Sequence, residues 1–119
     1  MLKRILMLDD NPDILDVVKE ALLYEKFEVN VTTGSANFLE AVKAYKPDLL
    51  ILDYKLLGPK GDEICRQVKK HSQLYDIPVI ICSAYLNEGD SISCGCDAVI
   101  TKPFGLDELI EKVNGLVYS

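Results

Sequence analysis

The sequence has one histidine, four cysteines, no long apolar run and no basic stripe. Each shortage removes a class of function. No apolar stretch approaches the length of a membrane span, and the opening "MLKRILMLDD" is too short and too quickly acidic for a signal peptide. The expected location is therefore cytoplasmic, with no membrane insertion. In a reducing compartment Cys65, Cys82, Cys94 and Cys96 do not form a disulfide framework. A structural zinc site is also disfavoured. Cys94-Gly95-Cys96 lacks the two-residue gap of a zinc knuckle, and His71 lies in a polar helical stretch. Cys82 reads as core filler and Cys65 as a helix residue, which leaves only Cys94 and Cys96 for redox or metal chemistry.

Basic charge is also short. Nineteen Asp and Glu stand against 13 Lys and Arg, for a net charge of −6. Such a chain is a poor match for a phosphate backbone, so direct nucleic-acid binding is not expected. What is present suits one globular domain spanning residues 1–119: 49% hydrophobic residues, 27% charged, and neither linker, repeat nor low-complexity tract.

Short, near-continuous apolar runs stand at "ILML" (5–8), "LLIL" (49–52), "VIIC" (79–82) and "AVI" (98–100), with a weaker one at "FEVNV" (27–31). Runs that do not alternate belong to strands buried on both faces, as in a parallel sheet. Helical patterns fill the gaps. In "PDILDVVKEALLYEK" Ile14, Val17, Val18, Ala21 and Leu22 form one stripe, and Pro12 suits a first turn. A second helix is expected after Ser35 as N-cap, with Phe38, Leu39 and Val42 inward. A third runs from about Gly61 to His71, with Ile64 and Val68 inside. The last, "GLDELIEKVNGLV", spaces Leu106, Leu109, Ile110, Val113 and Val117 helically. Strand and helix repeated in this way predict a doubly wound α/β sheet with helices on both faces.

The residues that follow the strands carry the chemistry. Asp9 and Asp10 follow the first, Asp53 ends the third, Ser83 and Ala84 follow the fourth, and Thr101, Lys102 and Pro103 follow the fifth. In an open α/β sheet these ends line the ligand crevice. Three carboxylates brought together stay ionised only if a cation joins them. An all-oxygen, partly open site suits Mg²⁺, with Mn²⁺ as a substitute, and Mg²⁺ sites commonly share their ion with a phosphate. Lys102 and Ser83 would hold further anionic oxygens, so the set reads as a phosphoryl site with one carboxylate as nucleophile. Taken singly, the residues have plainer readings: Asp9 and Asp10 as helix-capping charge, Asp53 as a turn residue, Lys102 as a solvated cation. The four placements together outweigh these.

The series "LDD", "LLILD", "CSA", "TKPF" resembles the response-regulator receiver domain of two-component phosphorelays. The resemblance implies a flavodoxin-like (βα)5 fold with strand order 2-1-3-4-5, and a phosphoacceptor domain rather than an enzyme in its own right. It implies that Asp53 receives a phosphoryl group from a phosphohistidine on a sensor histidine kinase or histidine phosphotransfer protein. By the same resemblance Asp10 binds Mg²⁺ directly, Asp9 chiefly through water, and the Lys55 backbone carbonyl completes the protein ligands. Lys102, Ser83 and Ala84 hold the phosphoryl group, and the Lys102–Pro103 bond is cis. A flavodoxin would need a glycine- and hydroxyl-rich loop where "DDNPD" stands, and a haloacid-dehalogenase-type phosphatase needs two aspartates separated by one residue, which neither "LDDN" nor "LDYK" supplies. A pseudo-receiver, an unphosphorylated docking module, would normally lack the phosphoacceptor or the lysine.

The chain departs from the family pattern in places. Val99 stands at the switch position, where an aromatic ring is common, and valine has no comparable swing. From Ser83 to Lys102 the chain is shorter than usual by roughly one helical turn, which predicts a shortened or irregular fourth helix. Output through the common dimer face is then not expected, and a monomer or weak dimer is. Leu57 takes the place of a common proline, and Lys55 and Tyr85 flank the expected path of attacking water, where they would tune the phosphoryl lifetime. No output segment follows "GLVYS", which fits either a stand-alone shuttle or a piece of a larger regulator or hybrid kinase.

Overall fold

The computed structural model describes residues 2–34, 37–54, 61–83 and 95–118. Its elements run β1 (Arg4–Leu8), α1 (Pro12–Tyr24), β2 (Glu28–Thr32), α2 (Phe38–Tyr45), β3 (Leu49–Asp53), α3 (Gly61–Lys70), β4 (Val79–Ser83), β5 (Ala98–Thr101) and α4 (Leu106–Val117). The strands form one parallel sheet in the order β2-β1-β3-β4-β5, the flavodoxin-like order expected. The expected irregular helix between β4 and β5 falls on residues outside those described.

The continuous apolar runs are explained by the two layers they separate. Ile5 and Met7 of β1, Leu49 and Ile51 of β3, and Ile80 and Cys82 of β4 face a layer built with α1 and α4. Their alternates Leu6, Leu8, Leu50, Leu52, Val79 and Ile81 face a second layer with α2 and α3. Successive strand side chains point to opposite faces, so both sets must be apolar. Every residue of β3 and β4 is buried.

Two helix readings change. On α1 the inward residues are Leu15, Val18 and Leu22, at helical spacing, and Val17 is 52% exposed. The inward stripe is therefore rotated by part of a turn from the one expected, leaving Val17 at its edge. Asn11 starts this helix, its side chain accepting from the Asp13 N–H, and Pro12 follows in the first turn. On α2 the expected cap, Ser35, lies outside the described residues, and the cap position falls at Asn37. Its backbone is left-handed (φ 56) and its side chain makes no capping bond, a conformation asparagine tolerates better than most residues. Phe38 and Val42 are buried as expected. At the other helices, Ile64 and Val68 of α3 and Leu109 and Val113 of α4 are buried, while Leu106 lies near the surface. Cys65 and Cys82 are buried, and Cys96 is half-buried, none of the three in a disulfide among the described residues; Cys94 lies outside them. No helix among the described residues is long and apolar enough to cross a membrane.

Strand register sets the site. Leu8 pairs with Leu52, Asp53 with Cys82, and Ser83 with Thr101, so the strand ends lie side by side. The order reverses between β1 and β3, where α/β sheets open their ligand crevice.

Candidate metal and phosphoryl site

Asp9 and Asp10 leave β1 at this crevice, and Asp53 is the last residue of β3. Carboxylate oxygens of Asp9, Asp10 and Asp53 all lie within 4.8 Å of one another. From the β5 side, Lys102 brings its ammonium 2.8 Å from Asp9 Oδ2 and 3.2 Å from Asp53 Oδ1. Its own backbone N–H donates to the Ser83 carbonyl at 2.8 Å, and the Lys102–Pro103 peptide is cis, in line with the resemblance. Ser83 itself is buried at the end of β4.

The three carboxylates differ in what remains free on them. Asp9 is fully buried. Its Oδ1 accepts the Asn11 N–H at 2.9 Å and its Oδ2 the Lys102 ammonium. Both oxygens are thus engaged inside the protein. Asp10 is exposed, and Asp53, 7% exposed, meets Lys102 through Oδ1. Asp10 and Asp53 therefore keep carboxylate oxygen that could meet a cation, whereas both Asp9 oxygens already accept hydrogen bonds.

The electrostatics point the same way. Three carboxylates against one ammonium leave a formal excess of two negative charges. Burial, and then the neighbouring Asp9 charge, push the Asp53 carboxyl above its ordinary value, and Lys102 only partly offsets them. Burial works against the charged form of Lys102, but Asp9 and Asp53 outweigh it and hold the ammonium above the ordinary lysine value. A divalent cation would remove the excess. The donors are all oxygen, which suits a hard ion such as Mg²⁺ or Mn²⁺. Cys82, next to Asp53 in register, takes no part: burial raises its thiol pKa to about 12.

Beside the acidic cluster, α1 and the chain leading into α4 border an open apolar groove of about 520 Å³ lined by Ile14, Val17, Phe104 and Leu106, with Lys102 and Pro103 also on its wall. Phe104 of "TKPF" was visible in the sequence as part of a motif, but the groove was not. Asn11 was also missed. Its "DNP" context, an asparagine directly before a helix-opening proline, is the signal that could have found it. Val99, expected at the switch position, is half-buried against the α2–α3 layer. Lys55, Ala84 and Tyr85, expected at this site, lie outside the described residues.

The sequence matches the family model for the response regulator receiver domain over residues 5–114. Among solved structures, the response regulator TrrA of Thermotoga maritima, in complex with Mg²⁺-BeF, is 34% identical; the match covers 97% of this chain and 99% of that one, with a TM-score of 0.85. A CheY-like receiver domain protein of Methanospirillum hungatei is 29% identical over 99% of this chain and 95% of its own, with a TM-score of 0.88. The receiver domain of a Pseudomonas aeruginosa sensor histidine kinase, solved with magnesium in its active site cleft, is 20% identical; it shares the fold over all of both chains, with a TM-score of 0.90. With the acidic cluster, the lysine and the 2-1-3-4-5 sheet already in place, the family match is decisive: the chain belongs to the response regulator receiver domain family.

Proposed function

We propose that residues 1–119 act as one phosphoacceptor domain in which Asp53 takes a phosphoryl group from a phosphohistidine and later loses it to water or passes it on. The observation that carries this reading is the contact of Lys102 with both Asp9 and Asp53, with Asp10 in the same cluster. An Asp53 oxygen attacks phosphorus, the P–N bond to the donor imidazole breaks, and an acyl phosphate forms as the imidazole leaves. Lys102 then trades part of its contact with Asp53 for a phosphoryl oxygen, and Ser83 donates to another. Asp10 and Asp53 would hold the cation directly, Asp9 chiefly through water, and the Lys55 carbonyl would complete the protein ligands. When bound, Mg²⁺ neutralises charge shared between Asp53 and the incoming phosphoryl group. That the 34%-identical Thermotoga relative was solved with Mg²⁺-BeF supports this assignment.

Ala84 adds to the phosphoryl contacts, and Lys55 and Tyr85 tune the rate of hydrolysis. The phosphoryl donor is a sensor histidine kinase or histidine phosphotransfer protein. The apolar groove beside Lys102 is where a helix of the donor would bring its histidine to Asp53. The domain works in the cytoplasm as a monomer or weak dimer, without binding nucleic acid. Incubation with acetyl phosphate and Mg²⁺ should add one phosphoryl mass, and neither Asp53→Asn nor chelated protein should gain it. Intact, folded protein that gains nothing from acetyl phosphate or from a phosphohistidine donor would instead be a docking module.

A further inference from the structure

We propose that Gly61 is a positioning residue for Asp53: because it has no side chain, the first turn of α3 rests directly on the Asp53 peptide and fixes where the carboxylate stands. The functional consequence rests on the phosphoacceptor reading above; the cause rests on backbone geometry alone. A Cβ added at Gly61 would lie 2.2 Å from the Asp53 carbonyl oxygen, 2.9 Å from its carbonyl carbon and 3.1 Å from Tyr54 Cα. All three are backbone atoms, so no rotamer change relieves the contact. The other described glycines differ. Gly34, Gly105 and Gly115 have open space at this position, and Gly95 meets only the Lys69 side chain. Nor does Gly61 have the positive φ that would otherwise call for glycine; among the described glycines only Gly95 has it.

Tyr54, the residue after Asp53, is tied from two sides. The Tyr54 N–H donates to the Cys82 carbonyl of β4 at 2.8 Å, and the Gly61 N–H donates to the Tyr54 carbonyl at 3.0 Å. This second bond ties the residue after β3 to the first residue of α3. Asp53 is therefore held between β4 and the start of α3. Moving the carbonyl oxygen from 2.2 Å out to even 3.0 Å needs a relative displacement of about 0.8 Å between the start of α3 and the residue that carries the nucleophile. A misplacement on the order of 1 Å can cost roughly 100-fold in rate.

Gly61→Ala should keep the far-UV circular dichroism of the wild type, bind Mg²⁺ more weakly by calorimetric titration, and gain its phosphoryl group from acetyl phosphate ~10- to 100-fold more slowly. Val68→Ala, which removes a buried contact on the same helix far along from Asp53, is the control for lost stability and should phosphorylate within about twofold of wild type. Gly61→Ala that is no slower than Val68→Ala, with unchanged Mg²⁺ affinity, overturns the proposal. If Gly61→Ala does not fold, hydrogen exchange in the wild type decides. Mg²⁺ with beryllofluoride should slow exchange of the Gly61 amide about tenfold more than that of the Val68 amide, and equal slowing of the two overturns the proposal. Should the wild type gain no phosphoryl group, the phosphoacceptor reading fails, and the Mg²⁺ affinity of Gly61→Ala still tests the positioning role.

Discussion

Lys69 and Lys102 each place an ammonium 2.8 Å from an aspartate oxygen, at opposite ends of the sheet. Lys69 reaches from the last turn of α3 to Asp97, ahead of β5, and also donates to the carbonyls of Ile77 at 2.9 Å and Tyr75 at 3.4 Å. Asp97 Oδ2 in turn accepts the N–H of Val79, the first residue of β4. One positive charge meets one negative, and the neighbouring acceptors are neutral. This knot ties α3, β4 and β5 together and asks for nothing more. Lys102 instead faces two carboxylates, with a third close by. The ammonium is bonded, yet two negative charges are left over. A satisfied ion pair is a structural joint, while a pair with charge in excess is a binding site waiting for a cation.

The comparison is broken most severely at Lys102. Lys102→Ala should slow phosphorylation from acetyl phosphate by about 10²–10³-fold, the usual loss when one donor to a developing anion is removed. It should also destabilise the metal-free protein by about 3 kcal/mol, because Asp9 and Asp53 lose their buried counter-charge, and saturating Mg²⁺ should recover much of that loss. Thermal melts with and without chelator measure both. Lys69→Ala should cost about 2 kcal/mol, since it leaves two carbonyls and a carboxylate short of a donor. That loss should be the same with and without Mg²⁺, and the phosphorylation rate should stay within about twofold. A Mg²⁺-sensitive Lys69→Ala would erase the distinction between the two lysines.

The smallest effect has the opposite sign. In chelator, Asp53→Asn should stabilise the protein by on the order of 1 kcal/mol, a typical single-substitution effect. Asp53 has a raised carboxyl pKa in the folded state, with burial as the main cause. The folded protein therefore holds that proton to higher pH than the unfolded chain does. Its ionisation disfavours folding, fully so above the folded pKa, and the penalty fades as pH falls toward the ordinary carboxylate value near 3.9. The stability gap between Asp53→Asn and wild type should accordingly close on acidification, as chemical denaturation from pH 7 to pH 4 would reveal. A gap that widened would mean that Lys102 outweighs the burial.

Much of the fold was readable because a two-sided sheet leaves a plain mark. Leu49–Leu52 and Val79–Cys82 must be apolar throughout, and such runs rarely occur for any other reason in so short a chain. Asp53, Lys102 and the aspartate pair were readable because strand ends converge whatever the detailed packing. What escaped depends on backbone and on rotation. The Asn11 N–H that engages Asp9 is a main-chain donor that any residue but proline could supply. The close approach at Gly61 involves main-chain atoms of Asp53 and Tyr54, and a glycine at a helix start has many plainer explanations. Val17 was misassigned because a stripe of five apolar residues fits more than one rotation of α1. Only the packing of Leu15 under the helix decides which.

The most direct test of the charge-excess account is the unfolding midpoint of the wild type titrated with Mg²⁺ in chelator-treated buffer. A cation that completes the Asp9–Asp10–Asp53 cluster should raise stability with the logarithm of its concentration, by about 2.7 kcal/mol at 100 times its dissociation constant. A midpoint that stays flat through millimolar Mg²⁺ would mean that Lys102 alone satisfies the carboxylates, and would contradict the account.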